Sequence, residues 1–586
     1  MSEIFYTSER NIQIVISLLK ANNVHRIIVS PGATNISFVG SIQNDSFFTV
    51  YSCVDERSAA YMACGISAET GEPVAINCTG ATSSRNWLPG LTEAYYRKLP
   101  ILAITSSQES CKIGQLVAQV TNRSTPPVDS VIRSIEIGLV KSESDEWDAI
   151  VKANTAFSLL TRNGGGPVHI NLITNYSKDY SVKEIPAVRK ITRFSETDNL
   201  PNIENGRIAI CIGSHVRFSK DLEQIVDLFC SIHDAVVFCD HSSGYNGRYK
   251  VNLSLALVQK NARTSLGIMD LLIHIGEVSG DYYNLYLLRP KTVWRVSPDG
   301  EIRDLYKKLV AVFDMPEIVF FKHYAAGKCS DKHSYFDECV KEYETCYNQI
   351  PELPFSNLWI AKIISSRLPE GCVLHLGILN SLRSWNFFNI PKSVDSCCNA
   401  GGFGIDGIMS TLIGASLCNP NRLYFGVLGD LSFFYDMNSI GNRHIGNNIR
   451  ILLVNNGRGQ EFRNYTHNGN LFGEDADRYI AAAGHFGNKS FDLVKHYASD
   501  LGYEYLSASS KEEFFKVVDR FLIPKVTEKP MIFEVFTDTR DESVALDTML
   551  NYMVDSKVVL TKDAKAFARN LLGDKGVKWL KKTIGK

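Results

Sequence analysis

Residues 422–459 read RLYFGVLGDLSFFYDMNSIGNRHIGNNIRILLVNNGRG, and the two apolar runs inside them decide the fold. Each run has strand length and ends abruptly in polar residues, the first at Gly429, Asp430 and Leu431 and the second at Asn455 and Asn456. Runs apolar on both faces belong in a buried parallel sheet, and the 26 positions from Asp430 to Asn456 leave room for one crossover helix between neighbouring strands. Both polar ends then emerge at the same carboxyl edge, where open α/β sheets bind ligands. There Asp430 offers a carboxylate, Asn456 an amide oxygen and Arg458 its backbone carbonyl, a hard-oxygen set suited to Mg²⁺ with positions left for water and phosphate oxygens. Gly429 lets the backbone approach a diphosphate closely, and Ser432 is expected to start the helix whose N-terminus favours that anion. Taken alone, the stretch also reads as a helix N-cap with an Asn-Gly turn after the next strand.

Outward from this stretch the same rhythm recurs. RIIVSPG, EPVAINCTG, LPILAITSS and PVHINLITN form one series, RIAICIGSH, DAVVFCDHSSG, LLIHIGEVSG and TVWRVSPDG a second, and GCVLHLGILNS and PMIFEVFTD complete a third around the opening stretch. Helical stretches lie between the runs, so the fold class is α/β, with three consecutive doubly wound parallel-sheet domains. Polar segments near 182–206 and 332–355 read as linkers or linker helices, giving domains at 1–185, 186–345 and 346–545. The remainder, 546–586, reads as a C-terminal extension of one or two basic amphipathic helices.

The 586 residues are 45% apolar and 21% charged, enough for several packed cores in a soluble globular protein. With 62 basic against 63 acidic residues there is no excess of positive charge for the phosphates of a nucleic acid, so no nucleic-acid partner is expected. MSEIFYTSERNIQIVISLLK spaces its apolar residues as an amphipathic helix does, and no run reaches the length a bilayer needs, so neither an export signal nor a membrane span is expected. The 14 cysteines are scattered without the paired spacing of a zinc site, which suits reduced thiols in a cytoplasm.

The G-D-x pattern followed after about 25 residues by N-N resembles the diphosphate-magnesium motif of thiamine diphosphate enzymes. Leu431 stands where that family usually has Gly, and the two side-chain ligands are in place. FFTVYSCVDERSAAYMACGISAETGEPVAINCTG, residues 47–80, puts Glu56 at the start of a helix, in a setting where the family glutamate bonds the aminopyrimidine ring. A carboxylate on that ring nitrogen stabilises the imino tautomer that deprotonates the thiazolium carbon, which makes Glu56 the switch of the reaction. CCNAGGFGIDGIMSTLIGASL, residues 397–417, places Ile405 where the family has the bulky aliphatic side chain that bends the cofactor. The resemblance also sets Thr79, Ser381 and Gly404 against the cofactor, together with Gly429, Asp430, Leu431, Ser432 and Asn456. It implies pyrimidine-binding, central and diphosphate-binding domains in that order. It also implies a homodimer or homotetramer whose active site lies across the subunit interface. The central domain lacks a clear G-x-G-x-x-G, so FAD, which some members bind there, is unsupported.

Within the family, VSPGATN, CVDERSAAYMACG, GQLVAQ, LGILNSLRSW and GFGIDGIMST look most like the menaquinone-pathway synthases, which decarboxylate 2-oxoglutarate and add the fragment to isochorismate. Those enzymes carry arginines for their acidic substrates at positions that here hold Thr34, Gln108, Trp385 and Ala400. Each missing guanidinium removes a carboxylate contact worth roughly 1.5–3 kcal/mol. The sequence therefore points to a small 2-oxo acid donor such as pyruvate. The acceptor it suits is uncharged or carries its charge far from the carbonyl, as a keto sugar, an aldehyde or, in acetolactate-type condensation, a second donor would. Trp385 is a candidate stacking face for a sugar and, equally, a core residue. Gln115 matches a family glutamine at the reaction centre, and Arg463, His467 and His485 are candidates for proton transfer or substrate contact. The alternatives are a simple 2-oxo acid decarboxylase acting on phosphono- or sulfopyruvate and an idle regulatory paralogue.

Overall fold

The computed structural model describes residues 5–123, 125–259, 265–281, 283, 287–327, 333–465, 467–485 and 489–553. By internal contacts the chain forms two compact units, one of Met1–Pro201 with Ser297–Met315 and the other of Asn202–Val296 with Pro316–Lys586. The fold is α/β, with every paired strand parallel to its neighbour.

In the first unit β1 (Arg26–Val29), β2 (Thr49–Ser52), β3 (Val74–Thr79), β4 (Ile101–Ser107), β5 (Ser134–Ile137) and β6 (Val168–Ile173) form a sheet in the order β2-β1-β3-β4-β6-β5. β4 and β6 are buried along their whole length, the condition of a strand covered on both faces. One face is covered by the expected N-terminal helix, Arg10–Ala21, and by Glu143–Leu159, whose N-cap Ser142 accepts from Asp145 N. The Glu56–Thr70 and Leu88–Arg97 helices cross closely at Gly90, where a Cβ would lie 2.5 Å from that of Ala60. Two further strands, β7 (Thr192–Ser195) and β13 (Leu309–Asp314), pair in this unit. β7 falls inside 182–206, so that segment is more than a linker.

In the second unit β8 (Ile208–Ile212), β9 (Ala235–Cys239), β10 (Lys250–Val251), β11 (Ile268–Ile275) and β12 (Arg289–Val296) run in the order β10-β9-β8-β11-β12. At their carboxyl edge Asp240 accepts from Ser242 N and Ser279 Oγ, and a Cβ on Gly213 would meet Glu277 O at 1.9 Å. Chain atoms thus pack closely against one another at this edge. The segment near 332–355 is a helix, Ser334–Asn348, with Tyr335, Cys339 and Tyr343 buried.

The last series is β14 (Val373–Leu376), β15 (Asp395–Cys398), β16 (Tyr424–Gly429), β17 (Ile449–Asn455), β18 (Glu504–Ala508) and β19 (Met531–Phe536). Its order, β15-β14-β16-β17-β19-β18, repeats that of the first sheet. In both, the second strand lies on one side of the first and the third on the other, which opens a crevice above their carboxyl ends. The helix Thr539–Asn551 follows, and the basic helices expected beyond it, at 554–586, lie outside the described residues. Among the described residues every cysteine is a free thiol, and no helix is long and apolar enough to cross a membrane.

Candidate active site

The crevice above β14 and β16 is a pocket of ≈ 610 Å³. Ser381, Ile405, Gly429, Asp430, Leu431, Ser432, Asn456 and Arg458 all line it, so residues separated by up to 77 positions converge on one space. The parallel register sets Gly429 beside Val454, and the polar ends of β16 and β17 emerge together as the apolar runs imply. The helix after β16 spans Asp430–Tyr435, so it begins at Asp430 rather than at Ser432. Gly429 is its N-cap, the residue where the backbone leaves the extended conformation. Ser432 lies within the first turn and donates to Ile405 O, tying that turn to the loop that carries Gly404 and Ile405. A Cβ on Gly429 would meet only Val454 O, at 4.0 Å, so the backbone there is open to a close ligand.

Asp430 is only 4% exposed. Burial pushes its carboxyl up to about 7, against hydrogen bonds from the N–H groups of Leu431 and Gly457, and Glu534 adds a like charge. A carboxylate disfavoured in this way is stabilised by an adjacent cation. The two asparagines divide the work behind it. Asn455 turns inward, donating to Glu534 Oε1 (2.7 Å) and accepting from Gly457 N (3.2 Å), while the half-buried Asn456 lines the pocket. Gly457, at φ +75°, makes the turn that presents Arg458 beside it, and the Arg458 side chain is drawn off to Asp477 (2.6 Å). Carboxylate, amide oxygen and main-chain carbonyl therefore remain as a donor set that fits a hard divalent cation.

Several other walls of this pocket carry no local sequence signal. Leu379, between β14 and the Asn380–Trp385 helix, sits at φ +67°, a conformation a branched side chain rarely takes and one that structures hold mostly at functional sites. Arg383 Nη1 donates to both oxygens of Glu461, at 3.0 and 2.8 Å, and ties down the short 3-10 helix Gln460–Arg463, whose Phe462 lines the pocket. Leu379 has no local signature, and the partners of the ion pair lie 78 positions apart.

In the first unit Glu56 opens its helix, as expected, next to the N-cap Asp55. Partial burial raises its pKa, but hydrogen bonds from Asn86 (Nδ2 to Oε2, 3.0 Å) and Ser83 outweigh that and hold it below the usual range. Asn86, 30 positions on, is a partner that sequence reading missed. Thr79 ends β3 and bonds Thr34 Oγ1, which also donates to Ser106 O (2.6 Å), so both threonines stand at the carboxyl edge of the first sheet.

Of the remaining candidates, those in the second unit, Arg463, His467, His485, Trp385 and Ala400, are not among the residues that line this pocket. Gln115 is exposed in a turn closed by its N–H on Lys112 O, not in a helix. Arg463 bonds Gly473 O and lies 3.4 Å from Asp477. His467 Nδ1 accepts from Gly469 N (2.9 Å), and its ring stands edge-on to Phe462, so it shapes the loop behind the pocket. His485 is exposed. Trp385 is fully buried, which leaves it no face for a sugar; Thr34 and Ala400 are buried too, and Gln108 accepts from Lys112 Nζ (2.9 Å).

Residues 11–125 match the family model described as thiamine pyrophosphate enzyme, N-terminal TPP binding domain. Three relatives share the name 2-succinyl-5-enolpyruvyl-6-hydroxy-3-cyclohexene-1-carboxylate synthase. That of Bacteroides thetaiotaomicron is 30% identical over 562 residues, covering 92% of this chain and 98% of the relative. That of Phocaeicola vulgatus is 30% identical over 559 residues with the same coverage, and that of Flavobacterium psychrophilum is 28% identical over 574. Likeness at this level over nearly the whole length, together with the domain match, shows that the chain belongs to the thiamine pyrophosphate (thiamine diphosphate) enzymes.

Proposed function

We propose that this enzyme decarboxylates a 2-oxo acid, with pyruvate as the favoured donor, and transfers the acyl fragment to a carbonyl acceptor, using Mg²⁺ to hold its cofactor. The observation that carries the reading is the convergence of Asp430, Asn456, Arg458, Ser381 and Ile405 on one pocket at the switch point of the third sheet. Bound thiamine diphosphate would supply a carbon acid whose anion adds to the donor carbonyl and takes up the electrons released with CO₂. Asp430, Asn456 and the Arg458 carbonyl would hold the cation and through it the diphosphate. Ile405 and Leu431 supply apolar walls of this pocket, and Ile405 would hold the bound cofactor in its bent conformation. Glu56, kept anionic by Asn86 and Ser83, would bind and polarise the aminopyrimidine. Following the family assembly, Glu56 of one subunit would serve the diphosphate pocket of its partner, so activity requires a homo-oligomer.

The relatives' own reaction is the second reading, favoured by the span of the likeness. The small or buried residues at Thr34 and Ala400 weigh against it, because neither can present a charge to a dicarboxylate. Incubation with thiamine diphosphate, Mg²⁺ and pyruvate or 2-oxoglutarate, with and without aldehyde or keto-sugar acceptors, separates the readings. Release of CO₂ from pyruvate with a lengthened product supports the first, turnover of 2-oxoglutarate alone supports the second, and free aldehyde indicates a simple decarboxylase. Asp430→Ala should lose cofactor retention, and a variant holding cofactor and Mg²⁺ at wild-type occupancy would refute its role.

A further inference from the structure

In the first unit Arg57, Arg97 and Arg133 each have a carboxylate within 4 Å, on Asp55, Glu93 and Glu301. Arg85 and Arg123 have none among the described residues. Arg85 Nη2 donates only to Asn122 O (3.2 Å) and Arg123 Nη1 to Thr121 Oγ1 (3.1 Å), while Arg123 Nε is buried with no partner. Gly80 makes room for the second guanidinium, since a Cβ there would lie 2.7 Å from Nη1 and 3.0 Å from Nη2. Both arginines line one pocket of ≈ 470 Å³, with apolar walls at Trp87, Leu91 and Pro126.

No counter-ion comes from the rest of the wall. His169 is neutral, its imidazole held down at about 3 by burial and by Arg123, with its ring nitrogens bonded to Thr105 (2.8 Å) and Ser134 (2.7 Å). Glu136 is the acid within electrostatic reach of Arg123; it faces a neighbouring cavity that Arg123 also lines, where Asn171 Nδ2 (3.0 Å) and Ser110 bond it. Two guanidinium groups against one carboxylate, which lines the neighbouring cavity and not this one, leave the pocket positive.

We infer that this pocket receives a small organic anion, a carboxylate carried on an apolar body, with Arg123 and Arg85 taking the carboxylate and Trp87, Leu91 and Pro126 the body. The short Ser83–Asn86 helix carries Arg85 at the pocket and Asn86 on Glu56, so a ligand here presses on the element that positions that carboxylate. The inference needs no cofactor and rests on the first unit alone.

Calorimetric titration of the full-length protein with benzoate tests it. Saturable binding of one benzoate per chain is expected, tighter than that of inorganic phosphate, which has no apolar body. Arg123→Gln should weaken it at least tenfold and Arg123→Lys less, at an unchanged melting temperature. Absence of saturable binding, or equal affinity in Arg123→Gln, overturns the assignment. Should Arg123→Gln not fold, exposed Arg85→Gln carries the test, and unchanged affinity there is the overturning result. Glu56→Gln should bind benzoate as wild type does, which keeps this test separate from the cofactor reading.

Discussion

A single carboxylate, Glu56, shows how a local environment sets a side chain's charge. Partial burial raises its proton affinity, and the hydrogen bonds from Asn86 and Ser83 more than reverse that, so the anion is favoured and aimed. Glu56→Gln should lower turnover by about 10²-fold or more, in the range of a lost acid–base group, while cofactor affinity stays near wild type. Unchanged turnover would remove the role. Asn86→Ala removes a bond to the charged form, so the Glu56 pKa should rise. The acid limb of the kcat/KM profile should then move to higher pH, and an unmoved limb would show that Glu56 is not the group that titrates. Glu56 was legible in the sequence because the residues that recognise it are its chain neighbours. Asn86 was not, because only the fold sets it opposite.

At the scale of elements, sites depend on how closely helices approach and on what their ends meet. Gly90 lets the Leu88–Arg97 helix lie against Ala60 of the helix that Glu56 begins. Gly90→Val should cost about 1–3 kcal/mol through overpacking and also reduce turnover, since the displaced helix carries Glu56. A variant that melts as wild type does would show that the contact relaxes freely. In the second unit the buried Glu542 accepts at Oε1 from Asn357 N (2.9 Å) and Thr537 Oγ1 (2.7 Å), joining the Thr539–Asn551 helix to the start of the Asn357–Ile364 helix. Burial pushes its carboxyl up from 4.5 to about 7, against those two bonds. A carboxyl whose folded pKa lies above its unfolded value binds more protons in the folded chain between the two. Its contribution to stability is therefore fullest at low pH and is lost as pH rises from about 4.5 towards 7. Glu542→Gln keeps an acceptor and removes the titration. The melting-temperature difference between wild type and variant should shift against wild type over that window, and a pH-independent difference would exclude the linkage.

Across the whole molecule, legibility followed burial in the first and third series, while the buried β13, LVAVFD, went unread. The four strands read in each of the first and third series are the inner ones, β1, β3, β4 and β6 and their counterparts β14, β16, β17 and β19, whose apolar runs are buried on both faces. Of the edge strands, β2 was read separately, as the strand before Glu56, while β5, β15 and β18 were missed because a strand with one open side needs no such run; DSCC carries none. The pocket of the third sheet was legible for the same reason where its residues follow inner strands, as Asp430 and Asn456 do, while Ile405, on the loop after the edge strand β15, was placed by family resemblance; Gln115 and His467 lie on long connections that no periodicity fixes. One property belongs only to the assembled protein: whether Glu56 and Asp430 act in trans. Glu56→Gln and Asp430→Ala should each be inactive alone, but in the proposed dimeric assembly unfolding and refolding them together would give mixed dimers in which one site carries both defects and the other carries neither. With random pairing, half of the dimers are mixed and each holds one intact site of two, so activity should return to about a quarter of wild type. If both groups served the site of their own subunit, every site would keep one defect and nothing would return.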